Sequence, residues 1–287
     1  MSTLKSLLAE GRRLLFEAGI EDADLDAWLW LEYLTKKNRA YYFAHADEAV
    51  SNEQAAAYME GIRKRSRHVP LQQLTHQAFF MGYEFYVNEH VLTPRQDTEV
   101  LAEAALEKMK NLEHPQILDM CTGSGCLLLS LLCEKEGAAG IGADVSEDAL
   151  AVAEKNRDRL GLTGRAELVK SDLFSAEELQ KEAPYDLLVS NPPYIRSGEI
   201  GSLMEEVRLY DPLLALDGHE DGLYFYRRIC REGGAYLKKG GWLLFEIGYD
   251  QGQDVAALMR ENGFTEVKLQ KDLAGLDRVV LGKKPEE

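Results

Sequence analysis

At 287 residues, the chain has the length of two ordinary domains and enough material to bury a substantial core. Apolar residues supply 45% and charged residues 29% of it, a globular balance and not a disordered one. The formal net charge of −16, most of it beyond Val91, repels a polyphosphate backbone and argues against broad non-specific nucleic-acid binding.

Helical spacing comes first. Leu4, Leu7, Leu8, Leu14 and Leu15 mark one apolar face, and Lys5, Glu10, Arg12 and Arg13 interrupt it too often for a secretory leader. Asp22 or Asp24 is placed to cap a second helix carrying Leu25, Trp28 and Leu29 on one side. Trp28 and Trp30 cannot share a single stripe, so one is a candidate for exposure, although core packing suits both. Ser51 with Gln54 three residues on resembles a capping box ahead of Tyr58, Met59 and Ile62. The basic run Arg63-Lys64-Arg65-Ser66-Arg67-His68 reads as a solvated helix end whose cations complement the helix dipole. Residues 1–75 are therefore expected to form a helical bundle. The aromatic stretch Phe79–Asn88, with Gly82 and Asn88, predicts a hairpin inside a connector spanning residues 76–93.

Beyond Pro94, short apolar runs alternate with helical segments. The predicted strands are Ile117–Cys121, Gly140–Val145, Ala166–Ser171, Asp186–Ser190, Trp242–Ile247, Thr265–Leu269 and Arg278–Leu281. Helices fit between most of them, for example Glu147–Leu160 and Tyr224–Leu237. That alternation implies a mostly parallel sheet covered on both faces, an α/β domain over residues 94–287. The last two strands are too close for a crossover helix and should pair antiparallel. The most apolar stretch, Cys126–Cys133, falls far short of the ~20 residues that cross a bilayer, so no membrane association is expected. Cys121, Cys126, Cys133 and Cys230 form no C-x-x-C pair, and no histidines sit at H-x-x-x-H spacing. Mostly buried, reduced thiols in a cytoplasmic protein without a metal are the expectation.

The segment from Ile117 to Cys126 runs an apolar strand into the turn Cys121-Thr122-Gly123-Ser124-Gly125 and then an apolar helix. Ligands of doubly wound sheets bind at such carboxyl ends, and Gly123 and Gly125 let backbone approach a nucleoside closely. A dinucleotide fingerprint would need a third glycine where Leu128 stands, and no G-x-x-x-x-G-K-[ST] loop is present. The turn therefore suits an uncharged sugar with an amino-acid tail, as in S-adenosylmethionine, better than a pyrophosphate. Asp144, at the tip of the next strand, can accept from ribose hydroxyls. Asp172, a third acidic strand tip, is suited to an adenine amine, with the Leu173 N–H serving the ring edge. Taken singly, each is an ordinary turn former.

The fourth strand ends in Asn191-Pro192-Pro193-Tyr194. Two prolines make a stiff exit, because neither can donate to a ladder and both fix φ near −65°. The Asn191 side-chain oxygen and a proline carbonyl can point together as two acceptors. Such a pair matches the two hydrogens of a planar amino group, and Tyr194 offers a face for that group to lie on.

Asn-Pro-Pro-Tyr in this position resembles methyltransferases acting on planar nitrogens: nucleic-acid amines or glutamine amides. Leu92-Thr93-Pro94-Arg95-Gln96-Asp97-Thr98-Glu99 narrows it, as do Glu206-Val207-Arg208, Asp211-Pro212, Ala215-Leu216, Gly218 and Gly222-Leu223. With these motifs the chain is similar over nearly its whole length to the release-factor glutamine methyltransferases. It departs at Gln96, where a second proline is usual, and at Met120-Cys121, where Leu-Gly is common. The resemblance implies a Rossmann-like seven-stranded S-adenosylmethionine-dependent domain behind a helical substrate-recognition domain. It implies methyl transfer to the glutamine of a Gly-Gly-Gln loop in release factors, with no metal. The donor would lie on Cys121–Gly125 with Asp144, Asp172, Leu173 and Asn191, and the target glutamine on Asn191–Tyr194. Asn191, Pro192 and Tyr194 would carry the chemistry, and no catalytic histidine or cysteine is expected. Arg95 and Asp97 could brace the cleft or form an ordinary ion pair, and the run at Arg63–His68 could dock an acidic surface of the release factor. A cytoplasmic monomer with a protein substrate is the resulting expectation. A ribosomal-protein glutamine, a nucleic-acid amine, or a catalytically idle nucleoside-binding module are the alternatives.

Overall fold

The computed structural model describes residues 2–286. They fall into two units, one running to Gln77 and taking in Met204–Tyr210, the other made of Ala78–Leu203 and the chain from Asp211 onward.

The first unit is helical: Leu4–Glu17, Ala23–Thr35, Arg39–Ala44, Asn52–Arg65 and Leu71–Thr75. Its core gathers Leu4, Leu7, Leu8 and Leu15 with Leu31, Tyr58 and Ile62. Trp28 and Trp30 are both buried in it. They leave opposite sides of their helix, and Trp30 Nε1 donates to the Tyr58 carbonyl at 3.0 Å, so its polar edge is satisfied. Ser51 caps as expected, its hydroxyl accepting from Gln54 N at 3.1 Å. Asp22 precedes the second helix without a side-chain cap bond.

Two expectations change here. Arg65 is not a solvated cation but is buried, with Nε on Asp26 Oδ2 at 2.7 Å and Nη2 on Glu206 Oε2 at 2.7 Å. Residues 204–210, expected inside the 94–287 domain, belong with the helices instead. The short helix Glu205–Tyr210 is held there by that bridge, by His68–Glu205 at 3.1 Å, and by the Tyr210 hydroxyl donating to the Arg67 carbonyl at 2.7 Å. Such long-range polar pairing leaves no periodic trace in a sequence.

The second unit opens with a hairpin, β1 (Ala78–Phe80) and β2 (Tyr83–Phe85), turned at Met81-Gly82 in left-handed backbone. It is shorter than the aromatic run suggested. The sheet then comprises β3 (Gln116–Met120), β4 (Ala139–Asp144), β5 (Ala166–Lys170), β6 (Tyr185–Ser190), β7 (Leu237–Glu246), β8 (Thr265–Lys271) and β9 (Asp277–Lys283). Its order is β5-β4-β3-β6-β7-β9-β8, parallel except for β9, which pairs antiparallel with both β7 and β8. Side chains alternate between two cores: Leu118, Leu188 and Phe245 face one, Ile117, Leu187 and Leu244 the other. This double burial is why the strands read as continuous apolar runs. β7 begins five residues ahead of the predicted Trp242, because Leu237 already pairs with Tyr185 and Lys238–Gly241 bulge between it and Trp242, with Gly240 in left-handed backbone. The helix before it runs to Gly233 and continues as a 3₁₀ turn, Gly234–Tyr236, up to the predicted end at Leu237.

Among the described residues, no helix is long and apolar enough to cross a membrane. All four cysteines are free thiols, Cys230 buried and the other three partly buried.

Candidate active site

The strand order reverses at β3, whose neighbours β4 and β6 leave a crevice at their carboxyl ends. A cleft of about 320 Å³ occupies that position. Its walls include Cys121–Ser124, Asp144, Asp172, Leu173, Asn191 and Pro193, joined by Arg95 and Thr98 and by Pro212, Leu214, Tyr224 and Arg228. Segments far apart in sequence thus meet in one cavity. Gly125, Pro192 and Tyr194 are not among the lining residues.

After β3 the backbone turns through left-handed conformations at Cys121, Gly123 and Gly125. A side chain at Gly123 would meet only open space, whereas at Gly125 a Cβ would sit 3.0 Å from Leu129 Cδ1 and 3.2 Å from Ala153 Cβ. The first glycine keeps the cleft floor clear and the second lets the following helix pack. Beneath the turn, Thr122 Oγ1 donates to Asp119 Oδ2 at 2.6 Å. Burial raises the Asp119 carboxyl to about 7. Asn156, which the sequence reading missed, donates to the Ser124 carbonyl at 2.9 Å and the Tyr86 carbonyl at 3.0 Å, and accepts from Tyr86 N at 2.7 Å. It clips the glycine turn to the segment leaving the hairpin.

Asp144 Oδ2 accepts from Gly123 N at 2.9 Å and Oδ1 from Ser146 N at 3.0 Å. Partial burial raises its carboxyl despite these bonds. Each oxygen keeps a lone pair for a further donor. Asp172 is exposed, with Oδ1 accepting from Arg228 Nη1 at 2.8 Å. Arg228, a second residue the sequence did not single out, therefore shares that end of the cleft. Leu173 adopts left-handed backbone.

Asn191 Nδ2 donates to Thr98 Oγ1 at 3.3 Å. The tyrosine three residues on is packed from behind: its carbonyl accepts from Gln251 Nε2 at 2.9 Å, and its hydroxyl points to Glu246 Oε1 at 3.4 Å. Burial pushes its phenol well up. Glu246, at the end of β7, is itself buried, which raises its carboxyl to about 7. Gly218 and Gly222 lie flat on this corner; a Cβ at Gly218 would be 2.7 Å from Tyr194 Cα, and one at Gly222 would be 2.4 Å from the Tyr194 carbonyl oxygen. Arg95 pairs with the buried Asp211 at 2.8 Å beside the cleft, while Asp97 turns away to Arg278 at 3.3 Å. Arg95 and Asp97 thus have separate partners.

Comparison with known proteins follows the same division. Residues 6–75 match the family model of the PrmC N-terminal domain, and residues 96–207 that of the methyltransferase small domain. The chain is 36% identical over 278 residues to the release factor glutamine methyltransferase of Clostridium acetobutylicum, covering 97% of each. It is 40% identical over 282 residues to the enzyme of that name from Caulobacter vibrioides, covering 98% of this chain and 96% of the other. Among solved structures, the hMettl16 catalytic domain bound to a MAT2A 3′UTR hairpin is similar with a TM-score of 0.60 at 14% identity, over 90% of this chain and 92% of that one. A 16S rRNA N2 G1207 methyltransferase from T. thermophilus, solved with AdoMet and guanosine, gives 0.50 at 22% identity, over 72% and 49%. These two likenesses concern the fold alone. Identity of 36–40% along nearly the whole length of both partners makes this chain a member of the release factor glutamine methyltransferase family.

Proposed function

We propose that the enzyme transfers a methyl group from S-adenosylmethionine to the side-chain amide nitrogen of the glutamine in the Gly-Gly-Gln loop of peptide-chain release factors. It acts as a cytoplasmic monomer, without a metal or direct contact to nucleic acid, and the helical residues 1–75 recognise the protein substrate. The observation that carries the reading is the Asn191 amide: its NH₂ is engaged by Thr98, which leaves Oδ1 as an acceptor at the cleft wall.

The cleft fits the methyl donor. Its volume is that of a small-molecule site. The side-chain-free floor at Gly123 admits a close approach, and Asp144 has lone pairs to spare for ribose hydroxyls. Cys121, Thr122, Gly123, Ser124 and Gly125 would hold the donor together with Asp144, Asp172, the Leu173 N–H and Asn191. When bound, S-adenosylmethionine supplies an electrophilic methyl carbon on a sulfonium.

An amide nitrogen is a poor nucleophile, because its lone pair is delocalised into the carbonyl. Asn191 Oδ1 and the Pro192 carbonyl accept its two N–H hydrogens, which shifts electron density onto nitrogen and aims it. Pro193 and Tyr194 hold this corner rigid, and Tyr194 flanks the target carboxamide. Correct placement of reactants is worth ~7–11 kcal/mol, and acceptors that favour developing positive charge add to it. A protonated amide is far more acidic than any neutral side chain, so its proton passes to water without a tuned base. The cleft thiols fit that account: burial pushes Cys126 up to about 12 and Cys121 well up, which keeps both neutral.

Mass spectrometry of a release factor incubated with enzyme and S-adenosylmethionine should show a gain of one methyl, ~14 Da, on the Gly-Gly-Gln glutamine. Asn191→Ala should lower kcat about a hundredfold while the dissociation constant for the methyl donor moves less than about threefold. Methylation by that variant within a few-fold of wild type would overturn the assignment.

A further inference from the structure

One buried side chain ties together two walls of the cleft that lie far apart in sequence. Asn156 is 1% exposed and sits on the helix Glu147–Arg159, on the face that also carries Ala149 and Val152. Ala149 and Val152 pack with Val87 and Val91 of the segment 86–94 that follows β2. Asn156 continues that contact in polar form. Its Nδ2 donates to the Ser124 carbonyl at 2.9 Å and the Tyr86 carbonyl at 3.0 Å, and its Oδ1 accepts from Tyr86 N at 2.7 Å. We infer that Asn156 is a positioning residue for the methyl donor, fixing the spacing between the glycine turn and the segment 86–94. This rests on the S-adenosylmethionine site proposed above and adds the group that sets its shape.

Hydrogen-bond polarity leaves the amide one orientation. A backbone N–H only donates, so the atom 2.7 Å from Tyr86 N is the acceptor, and the NH₂ faces the two carbonyls. Toward Tyr86 the amide thus presents the donor and acceptor that a neighbouring strand would. The Ser124–Gly125 peptide is gripped at both ends, by Asn156 on its carbonyl and by the Thr122 carbonyl, which accepts from Gly125 N at 2.8 Å. The same turn supplies Cys121–Ser124 to the cleft, and the segment 86–94 supplies His90, Val91, Leu92 and Pro94. Val91 and Ala149 belong to one apolar cluster, and both line the cleft. Packing beside Val152 would favour an apolar residue at position 156, but that residue would forfeit all three bonds in a place where water does not replace them.

Calorimetry with S-adenosylmethionine and steady-state methylation of a release factor, both on the full-length enzyme, test the assignment. Asn156→Asp keeps the shape and the acceptor toward Tyr86 N, but turns a carboxylate oxygen on two carbonyls. At pH 8 it should raise the donor dissociation constant about ten- to a hundredfold, with kcat at saturating donor and the release-factor KM within about threefold of wild type. A protonated carboxyl regains one donor, and burial favours that form. The excess over wild type should therefore shrink at least about threefold between pH 8 and pH 6, a dependence that general loss of stability does not produce. Val87→Ala, which loosens the segment without touching the amide, should raise the constant about three- to tenfold; Val87 is buried and does not line the cleft. Ile62→Ala, a destabilising control in the helical unit, should leave it within about twofold. Asn156→Asp binding the donor within about twofold of wild type at pH 8, or weakened equally at both pH values, would overturn the inference. So would an unchanged affinity in Val87→Ala, which decides alone if Asn156→Asp does not fold. If wild type binds the donor and methylates the release factor while these variants behave like it, only the positioning role falls. If wild type does not bind S-adenosylmethionine, the proposed function falls as well.

Discussion

At the scale of single residues, the site depends on atoms that are absent as much as on those present. Gly218 has no room for a side chain, because a Cβ would lie 2.7 Å from Tyr194 Cα and 2.9 Å from Gly222 Cα. Backbone on both sides cannot yield as a flexible side chain would. Gly218→Ala should therefore displace the corner at Tyr194, destabilising the fold by about 1–3 kcal/mol and lowering kcat more than donor affinity. A thermal melt with single-turnover kinetics checks it; an unchanged Tm and kcat would contradict the close packing. Both glycines and the Asn-Pro-Pro-Tyr run were legible as motifs. Their reason was not. Nothing in one dimension shows that residues 218 and 222 press on residue 194, or that Thr98 reaches Asn191.

Elements were read well where burial imposes a period. β3, β4 and β6 are covered on both faces, so their apolar runs identified them to within a residue or two. Reading failed where a polar bulge interrupts a strand, as in the first half of β7, and where a short helix is captured by distant partners. The helix Glu205–Tyr210 has no buried residues of its own. It is held through Arg65, which the basic run had suggested was free for docking. Charge reversal intended to probe docking should therefore use Arg63 or Arg67, both exposed, and leave Arg65 intact. Arg65→Ala should instead destabilise the protein by about 3–5 kcal/mol, since it strands the buried Asp26 without its partner. Burial already raises the Asp26 carboxyl, with Arg65 opposing the shift. Denaturant unfolding monitored by tryptophan fluorescence, with Trp28 and Trp30 in that helical core and Trp242 in the sheet, would report the loss; a loss under about 1 kcal/mol would refute the buried-pair account.

At the scale of the whole molecule, pH dependence follows from two buried carboxyls. Asp119 and Glu246 both titrate near 7 in the folded state, well above their ordinary values of 3.8 and 4.5. Their raised folded values mean the associated stability is full below about 4 and is lost as pH rises through about 7. For Glu246 the effect is at most about 3 kcal/mol. The net charge of −16 adds self-repulsion in the same direction as acids ionise. Tm should therefore be higher at pH 6 than at pH 8.5, and Asp119→Asn should narrow the difference. A Tm that rises across that interval would refute it. The sequence by itself determined the α/β class, the strand that carries the glycine turn, the acidic strand tips and the family, because hydrophobic period and motif chemistry are local properties of the chain. Only the tertiary structure decided which of those residues share a cleft, that Arg65 is buried, that residues 204–210 rejoin the helices, and that a carboxylate from β7 stands behind Tyr194. Those are matters of hydrogen bonding and excluded volume between residues as far apart in sequence as Arg67 and Tyr210, 143 positions, and no local pattern encodes them.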